Sequence, residues 1–324
     1  MKAYDIFNGD ADGICALHQL RMAEPRDAEL VTGVKRDIRL LERLSAVKEA
    51  QLTVLDISFD SNRDSVQTLL AQGCKILYFD HHFAGEIPEH FGLEAHIEVS
   101  SRVCTSLLVN RYLDGKYLDW AVTAAFGDNL VEVAEEVAKP LNLTSQELGG
   151  LRQLGELLNY NGYGESLGDL HFAPDELFRA IQKYDQPLEF LARAPEASRL
   201  AEGFQEDMGR AESTEPVLES EVGRVFRFPN DAWAHRIMGV FANLMANEDA
   251  SRATAMVVEN PDGTLRISVR APQSSPAGAD ELCRLFPTGG GRPNAAGVNN
   301  LPESELPRFL EDFERVFQSG DLSG

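Results

Sequence analysis

Four short apolar runs, AYDIF, ELVTGV, QLTVLDI and KILYFD, punctuate the first 80 residues, with amphipathic stretches between them. Runs of this length, rich in Val, Ile, Leu and aromatic residues, read as buried strands. GICALHQLRMA, IRLLERLSAVKEA and SNRDSVQTLLAQG read as the helices that separate them, the last ending on a glycine. Parallel strands need a crossover, and a helix is the usual one, so this alternation predicts an α/β architecture: a parallel sheet with helices on both faces. TSLLVNRYL and LDWAVTAAFGDNLVEVAEEVA follow, each with a helical pattern.

From Pro140 to about Glu221 the pattern is helical but irregular, broken at NYNGYGESLG. A different pattern then begins. VGRVFRF, ATAMVVE and TLRISVR are strand-like, and Asn260-Pro261-Asp262-Gly263 forms a turn signal between the last two. AHRIMGVFANLMAN and SELPRFLEDFERVFQS are the accompanying helices. The expected organisation is therefore an α/β domain over 1–140, its helical end and a connector over 141–220, and a smaller mixed α/β domain over 221–324. A chain of 324 residues suffices for two domains with separate cores.

Composition excludes several classes of function. Charged residues make up 25% of the chain and no apolar run reaches membrane-spanning length, so no membrane association is expected. The N-terminus lacks a secretory pattern, and Cys15, Cys74, Cys104 and Cys283 form no CxxC pair. Both features point to a cytoplasmic protein with reduced cysteines rather than a zinc or disulfide framework. A net charge of −22 opposes binding to long duplex nucleic acid, where phosphate neutralisation drives association. A small phosphorylated ligand remains compatible, because a local pocket can oppose the overall field. From Glu221 onward the ten basic residues are all arginine, whose planar fork suits phosphate or carboxylate oxygens.

The stretch FNGDADGI resembles half of a calcium-binding EF-hand loop, but that loop needs a preceding helix and a glutamate at its twelfth position. Here a strand precedes it, and the twelfth residue from Asn8 is Gln19. A strand end leading into a helix fits better. In parallel sheets ligands gather at the carboxyl ends of strands, and other strand ends here carry Asp56, and Asp80, His81 and His82 together. Asp128 follows in the helical stretch AAFGDNL. Singly, each is accounted for by helix capping or a solvated face. Together, hard oxygen ligands and imidazole suit a pair of divalent ions, Mn²⁺ ahead of Mg²⁺.

FNGDADG, VLDIS, FDHH and FGDN, in that order and spacing, resemble the four motifs of the DHH phosphoesterase superfamily. GGGRPNAAG, from Gly289 to Gly297, resembles the GGGH-x-x-AAG loop of the DHH-associated domain. The resemblance implies that Asp10, Asp12, Asp56, His81 and Asp128 bind two metals, with Asp56 bridging them. His82 would then face the substrate phosphate, Asp80 would orient the pair, and Arg270, Arg292 and the amides of Gly289, Gly290 and Gly291 would hold phosphate. The active site would lie in the cleft between the domains. Two departures stand out: Asn8 occupies a position where relatives carry Asp or His, making it a weaker ligand, and Arg292 replaces the histidine of the glycine loop. The implied activity is two-metal hydrolysis of short or mono-phosphorylated nucleotides, such as oligoribonucleotides, linear dinucleotides or pAp. Hydrolysis of pyrophosphate or polyphosphate is the alternative, and a non-catalytic nucleotide-binding module a third reading. Tyr160, Tyr163 and Trp233 are candidates to stack on a base. The resemblance leaves a homodimer open.

Overall fold

The computed structural model describes residues 1–319, which divide into two units after Gly203. In the first, β1 (Ala3–Phe7) leads into α1 (Ala11–Ala23), and β2 (Glu29–Val31), β3 (Gln51–Leu55), α2 (Arg63–Ala71), β4 (Lys75–Asp80) and β5 (Leu93–Ile97) follow. The five strands form one parallel sheet in the order β2-β1-β3-β4-β5. Side chains alternate between its faces. Tyr4, Ile6, Leu52, Val54, Ile76 and Tyr78 pack with Val66, Leu69 and Leu70 of α2. Full burial of each such aliphatic side chain contributes roughly 1.5–3 kcal/mol before entropy is counted.

The opposite face receives α1, with α3 (Thr105–Tyr112), α4 (Leu118–Gly127), α5 (Val131–Val137), α6 (Ser145–Gly162), α7 (Pro174–Ile181) and α8 (Pro187–Arg193) beyond it. A buried ion pair ties α1 to the sheet: Arg21 Nε and Nη2 donate to the two Asp5 carboxylate oxygens at 2.7 and 2.6 Å, and Nη2 also donates to Thr53 Oγ1. The α4–α6 packing depends on glycine. A Cβ on Gly155 would lie 2.1 Å from Thr123 O, and one on Gly127 would lie 2.4 Å from Ala11 Cβ. The end of α4 therefore sits directly against the start of α1.

Two local readings are corrected, and one strand was not read from the sequence. The expected helix over IRLLERLSAVKEA is only a short 3₁₀ turn, Leu40–Leu44. Its backbone groups find partners outside the segment: Asn62 Nδ2 donates to Ile38 O, Asn62 Oδ1 accepts from Leu41 N, and Glu49 N donates to Gln72 O. The stretch from Leu118 to Ala138 is two helices, not one, because Asn129 takes a left-handed conformation (φ 61°) that its short amide tolerates. β5 carried too few apolar residues to be recognised, as its edge position demands fewer. Much of 141–220 packs within the first unit, since α6 lies against α4.

The division falls within α9 (Pro195–Glu212). The second unit contains β6 (Leu218–Glu219), β7 (Gly223–Phe228), α10 (Ala232–Glu248), β8 (Ala253–Glu259), β9 (Leu265–Arg270), α11 (Ala279–Arg284), β10 (Gly289–Arg292), β11 (Ala295–Leu301) and α12 (Leu306–Ser319). Its mixed sheet runs β10-β11-β9-β8-β7-β6, and only β7 and β8 are parallel. One face buries Val225, Ala255, Ile267 and Val298 with Leu282, Phe309 and Phe313 of α11 and α12. On the other, Phe226 and Phe228 meet Phe241 of α10. All four cysteines are free and buried. Among the described residues no helix is long and apolar enough to cross a membrane.

Candidate metal centre

With the strand order β2-β1-β3-β4-β5, the direction of winding reverses between β1 and β3, and ligands of such sheets bind at that reversal, beyond the strand carboxyl ends. Asn8, Asp10, Asp12, Asp56, Asp80, His81 and His82 all belong to the carboxyl ends of β1, β3 and β4 or the turns just after them. Asp10 is the N-cap of α1; its Oδ1 accepts from Asp12 N and Gly13 N at 3.0 and 3.1 Å. Asp12, in the first turn of α1, caps a different helix: its two oxygens each accept at 2.7 Å from Ser106 N and Thr105 N at the start of α3. Asp56 adopts a left-handed conformation (φ 58°) rare for a non-glycine residue, pinned by Asp56 N to Phe79 O at 3.0 Å. Thr105 Oγ1 donates to Asp56 Oδ1.

Asp80 is wholly buried and fully occupied by the protein. Oδ1 accepts from His81 N, His82 N and the His82 ring Nδ1 (2.8, 3.2 and 2.7 Å), and Oδ2 accepts from Phe59 N. It fixes the turn and leaves His82 Nε2 available, as a positioning group does. Asp128 is carried by the end of α4. Leu130 N bonds Ala125 O and Asn129 N bonds Phe126 O, a Schellman closure with Asp128 as its C-cap. That turn brings Asp128 Oδ2 to 3.8 Å from His81 Nε2, which also lies 3.4 Å from Asp56 Oδ1.

Two sets of donor atoms result, Asp56–His81–His82 and Asp12–His81–Asp128, each within 4.8 Å of one another and sharing His81. Asp10 belongs to neither set. Its Oδ2 is taken by Lys35 Nζ at 2.6 Å, which also lies 3.7 Å from Asp128 Oδ1 and bonds Asn159 Oδ1 at 2.8 Å. Asn8 donates through Nδ2 to Lys35 O, and its Oδ1 is a buried acceptor without a partner.

The charges conflict in a manner that calls for cations. Burial, followed by the charges of Asp10 and Asp12, pushes the Asp56 carboxyl well above its ordinary range. Burial pushes Asp128 up to about 6 despite Lys35. Burial also acts to raise Asp10, but Lys35 outweighs it and holds that carboxyl low. The Asp80 hydrogen bond raises His82 against the effect of burial. Crowded carboxylates, an orphaned amide oxygen and imidazoles in reach of two shared sets fit oxygen- and nitrogen-ligated divalent ions.

Lys35, Asn159, Thr105 and Ser106 were missed from sequence. Lys35 directly follows the run ELVTGV, a position comparable to those of the strand-end aspartates, but an ammonium is no metal ligand and so carries no such signal in the sequence.

The remaining candidates lie in the second unit. Gly289–Arg292 is an edge strand rather than a loop, and Ala295 of β11 pairs with Arg292 on one side and Arg270 on the other. Residues directly opposite share a sheet face, so both arginines project on the side covered by α10. Arg270 Nε donates to Asn243 Oδ1 of α10. Gly289 and Gly291 have packing reasons to be glycine: added Cβ atoms would lie 1.7 Å from Cys283 O and 2.5 Å from Ala296 Cα. Gly290 faces open space. Two of the proposed stacking aromatics are structural. Tyr160 is fully buried with its hydroxyl on His171, and Trp233 is buried against Phe228. Tyr163 does lie by the centre, with Lys35 Nζ 5.5 Å from its ring.

Residues 216–319 match the DHHA1 domain family. No curated protein matches the sequence. Among solved structures, exonuclease RecJ bound to manganese is similar with a TM-score of 0.63 and 17% identity, over 98% of this chain and 90% of that one. RecJ from Thermus thermophilus, in complex with Mn²⁺, gives 0.63 and 19%, over 98% of this chain and 52% of that one. A pGpG-specific phosphodiesterase from Vibrio cholerae gives 0.55 and 14% over the whole of both chains. At these identities the likeness is one of fold.

Proposed function

We propose that this chain, which has a RecJ-like DHH fold and carries a DHHA1 domain at 216–319, is a metal-dependent phosphohydrolase acting on short phosphorylated nucleotides. The observation that carries the reading is the pair of donor sets sharing His81 at the carboxyl edge of a parallel sheet. Two divalent ions held there, one by Asp56 and His82 and the other by Asp12 and Asp128, with the single lone pair of His81 Nε2 given to one of them, would supply a nucleophile near neutral pH and neutralise charge on the phosphoryl group.

The protein's own groups do the rest. Thr105 Oγ1 and the amides of Thr105 and Ser106 fix the orientation of Asp56 and Asp12. Asp80 holds His82 through Nδ1, so Nε2 faces the centre or a phosphate oxygen with a defined tautomer. Arg270 and Arg292 are suited to grip the non-reacting phosphates, and charge-assisted, forked hydrogen bonds of this kind are the strong ones. Mn²⁺ is the favoured ion, with Mg²⁺ as the substitute. The like fold of a pGpG-specific phosphodiesterase supports a linear dinucleotide as substrate, and the charge of −22 argues against long duplex nucleic acid.

A second reading, hydrolysis of pyrophosphate or polyphosphate, is favoured by the same arginine pair, since terminal phosphates occur in both substrate classes. The deciding experiment sets 5′-phosphorylated dinucleotides, a longer RNA, pAp, pyrophosphate and short polyphosphate side by side with Mn²⁺. Release from the short nucleotides alone is the expected result. Release only from pyrophosphate or polyphosphate would transfer the protein to anhydride chemistry, and silence across the panel with metal bound would leave a binding module.

A further inference from the structure

Lys35 is held in the metal centre by its own backbone. Lys35 N donates to Gly162 O at 2.9 Å, at the end of α6, and Lys35 O accepts from Asn8 Nδ2 at 3.2 Å. A carboxylate at position 8 could not make that second bond, because it has no hydrogen to give. The amide of Asn8 therefore does two things: it docks the Lys35 segment, and it avoids adding another negative charge beside Asp10.

From this anchor the ammonium reaches Asp10 Oδ2 at 2.6 Å and Asp128 Oδ1 at 3.7 Å. Asp10 Oδ1 is already committed to the N-terminus of α1, so Lys35 takes its remaining oxygen. Asp128 belongs also to the set Asp12–His81–Asp128. A divalent ion bound there would share the Asp128 carboxylate with an ammonium 3.7 Å from one of its oxygens, and at such a distance like charges repel. Among the described residues, Lys35 makes its side-chain contacts with Asp10, Asp128, Asn159 and Tyr163 and none with Asp56, His81 or His82. Away from Asp10 the ammonium keeps two partners, Asn159 Oδ1 at 2.8 Å and the face of Tyr163 at 5.5 Å.

We propose that Lys35 is a built-in placeholder cation that competes for Asp128 with the divalent ion of the Asp12–His81–Asp128 position, so that the centre fills in two steps of unequal affinity. Lys35 neutralises Asp10 and Asp128 while that position is unfilled and shifts towards Asn159 and Tyr163 when it fills. The proposal rests on the metal-centre reading given above and assigns it a regulation: activity follows occupancy of the weaker position, and hence the concentration of free divalent ion.

The test is Mn²⁺ binding without substrate, counted by equilibrium dialysis and by electron paramagnetic resonance, which distinguishes lone from exchange-coupled Mn²⁺. In the natural protein one ion binds tightly and a second weakly. In Lys35→Gln the second Kd falls by at least about tenfold while the first is unchanged. Unchanged or weakened second-ion binding in that variant overturns the proposal. Should Lys35→Gln fail to fold, reductive methylation of the natural protein gives the answer: Lys35 becomes more reactive between one and two equivalents of Mn²⁺ if it is displaced, and equal or lower reactivity overturns the proposal. Failure of the hydrolase reading is separately visible. The expected binding shift without turnover of any phosphate ester upholds Lys35 and removes the catalytic assignment, whereas turnover with unshifted affinities removes Lys35 alone.

Discussion

Arg270 and Arg292 stand on one face of the second sheet, in register with opposite sides of the same residue, Ala295. Two inter-strand spacings place their backbones about 10 Å apart. Arg270→Ala and Arg292→Ala are each expected to lower kcat/KM for a 5′-phosphorylated dinucleotide by roughly 10- to 100-fold, the loss of one charged hydrogen-bonding group. Arg292→His should retain turnover and shift preference among the substrates of the panel. Identical preference profiles would remove Arg292 from specificity.

Asp56 is held in a left-handed conformation among carboxylates that repel it. Asparagine tolerates that conformation and carries no charge. Asp56→Asn is therefore expected to reduce Mn²⁺-dependent turnover by about a hundredfold or more. In chelator the same variant should melt on the order of a few degrees higher than the natural protein, because a destabilising charge has been removed. A variant with normal turnover would mean that the metal centre is wrongly assigned.

The Arg21–Asp5 pair lies between α1 and the sheet, with side chains 5% and 2% exposed. Breaking one side of such a pair leaves an uncompensated buried charge. Arg21→Met is expected to cost about 3–5 kcal/mol in chemical denaturation, and adding Asp5→Leu to it should recover much of that loss. Equal stabilities for the single and double variants would contradict this.

His18 is buried edge-on to Trp120, with Nε2 on Tyr184 O and Nδ1 without a partner. Burial lowers its pKa to about 4. As pH falls, the unfolded chain takes up this proton first, so the folded state's advantage is complete above about pH 6.5 and is lost progressively toward pH 4. Between pH 7.5 and 4.5 the natural protein should lose about 2–3 kcal/mol more stability than His18→Gln. Parallel pH profiles for the two proteins would rule this out.

Much of the molecule was legible without coordinates. The spacing of AYDIF, QLTVLDI and KILYFD dictated parallel strands, because runs buried on both faces and separated by amphipathic stretches have few other solutions. Once those strands were placed, Asp10, Asp12, Asp56, Asp80, His81 and His82 had to gather at one edge. The break after Gly127 was less visible, although Asp128-Asn129 contained its cause in the readiness of asparagine to turn left-handed.

Sequence alone therefore determined the strand–helix order and which acidic and imidazole groups reach the edge of the sheet, since both follow from local periodicity. Tertiary structure decided how those groups are shared. Asp12 caps a helix that begins 93 residues later, at Thr105. Lys35 meets Asp10 and Asp128 only because Gly162 and Asn8 hold its backbone, and Tyr160 and Trp233 turned inward to fill cores. No local pattern encodes these outcomes, because each depends on where distant segments satisfy their hydrogen bonds and bury their volume.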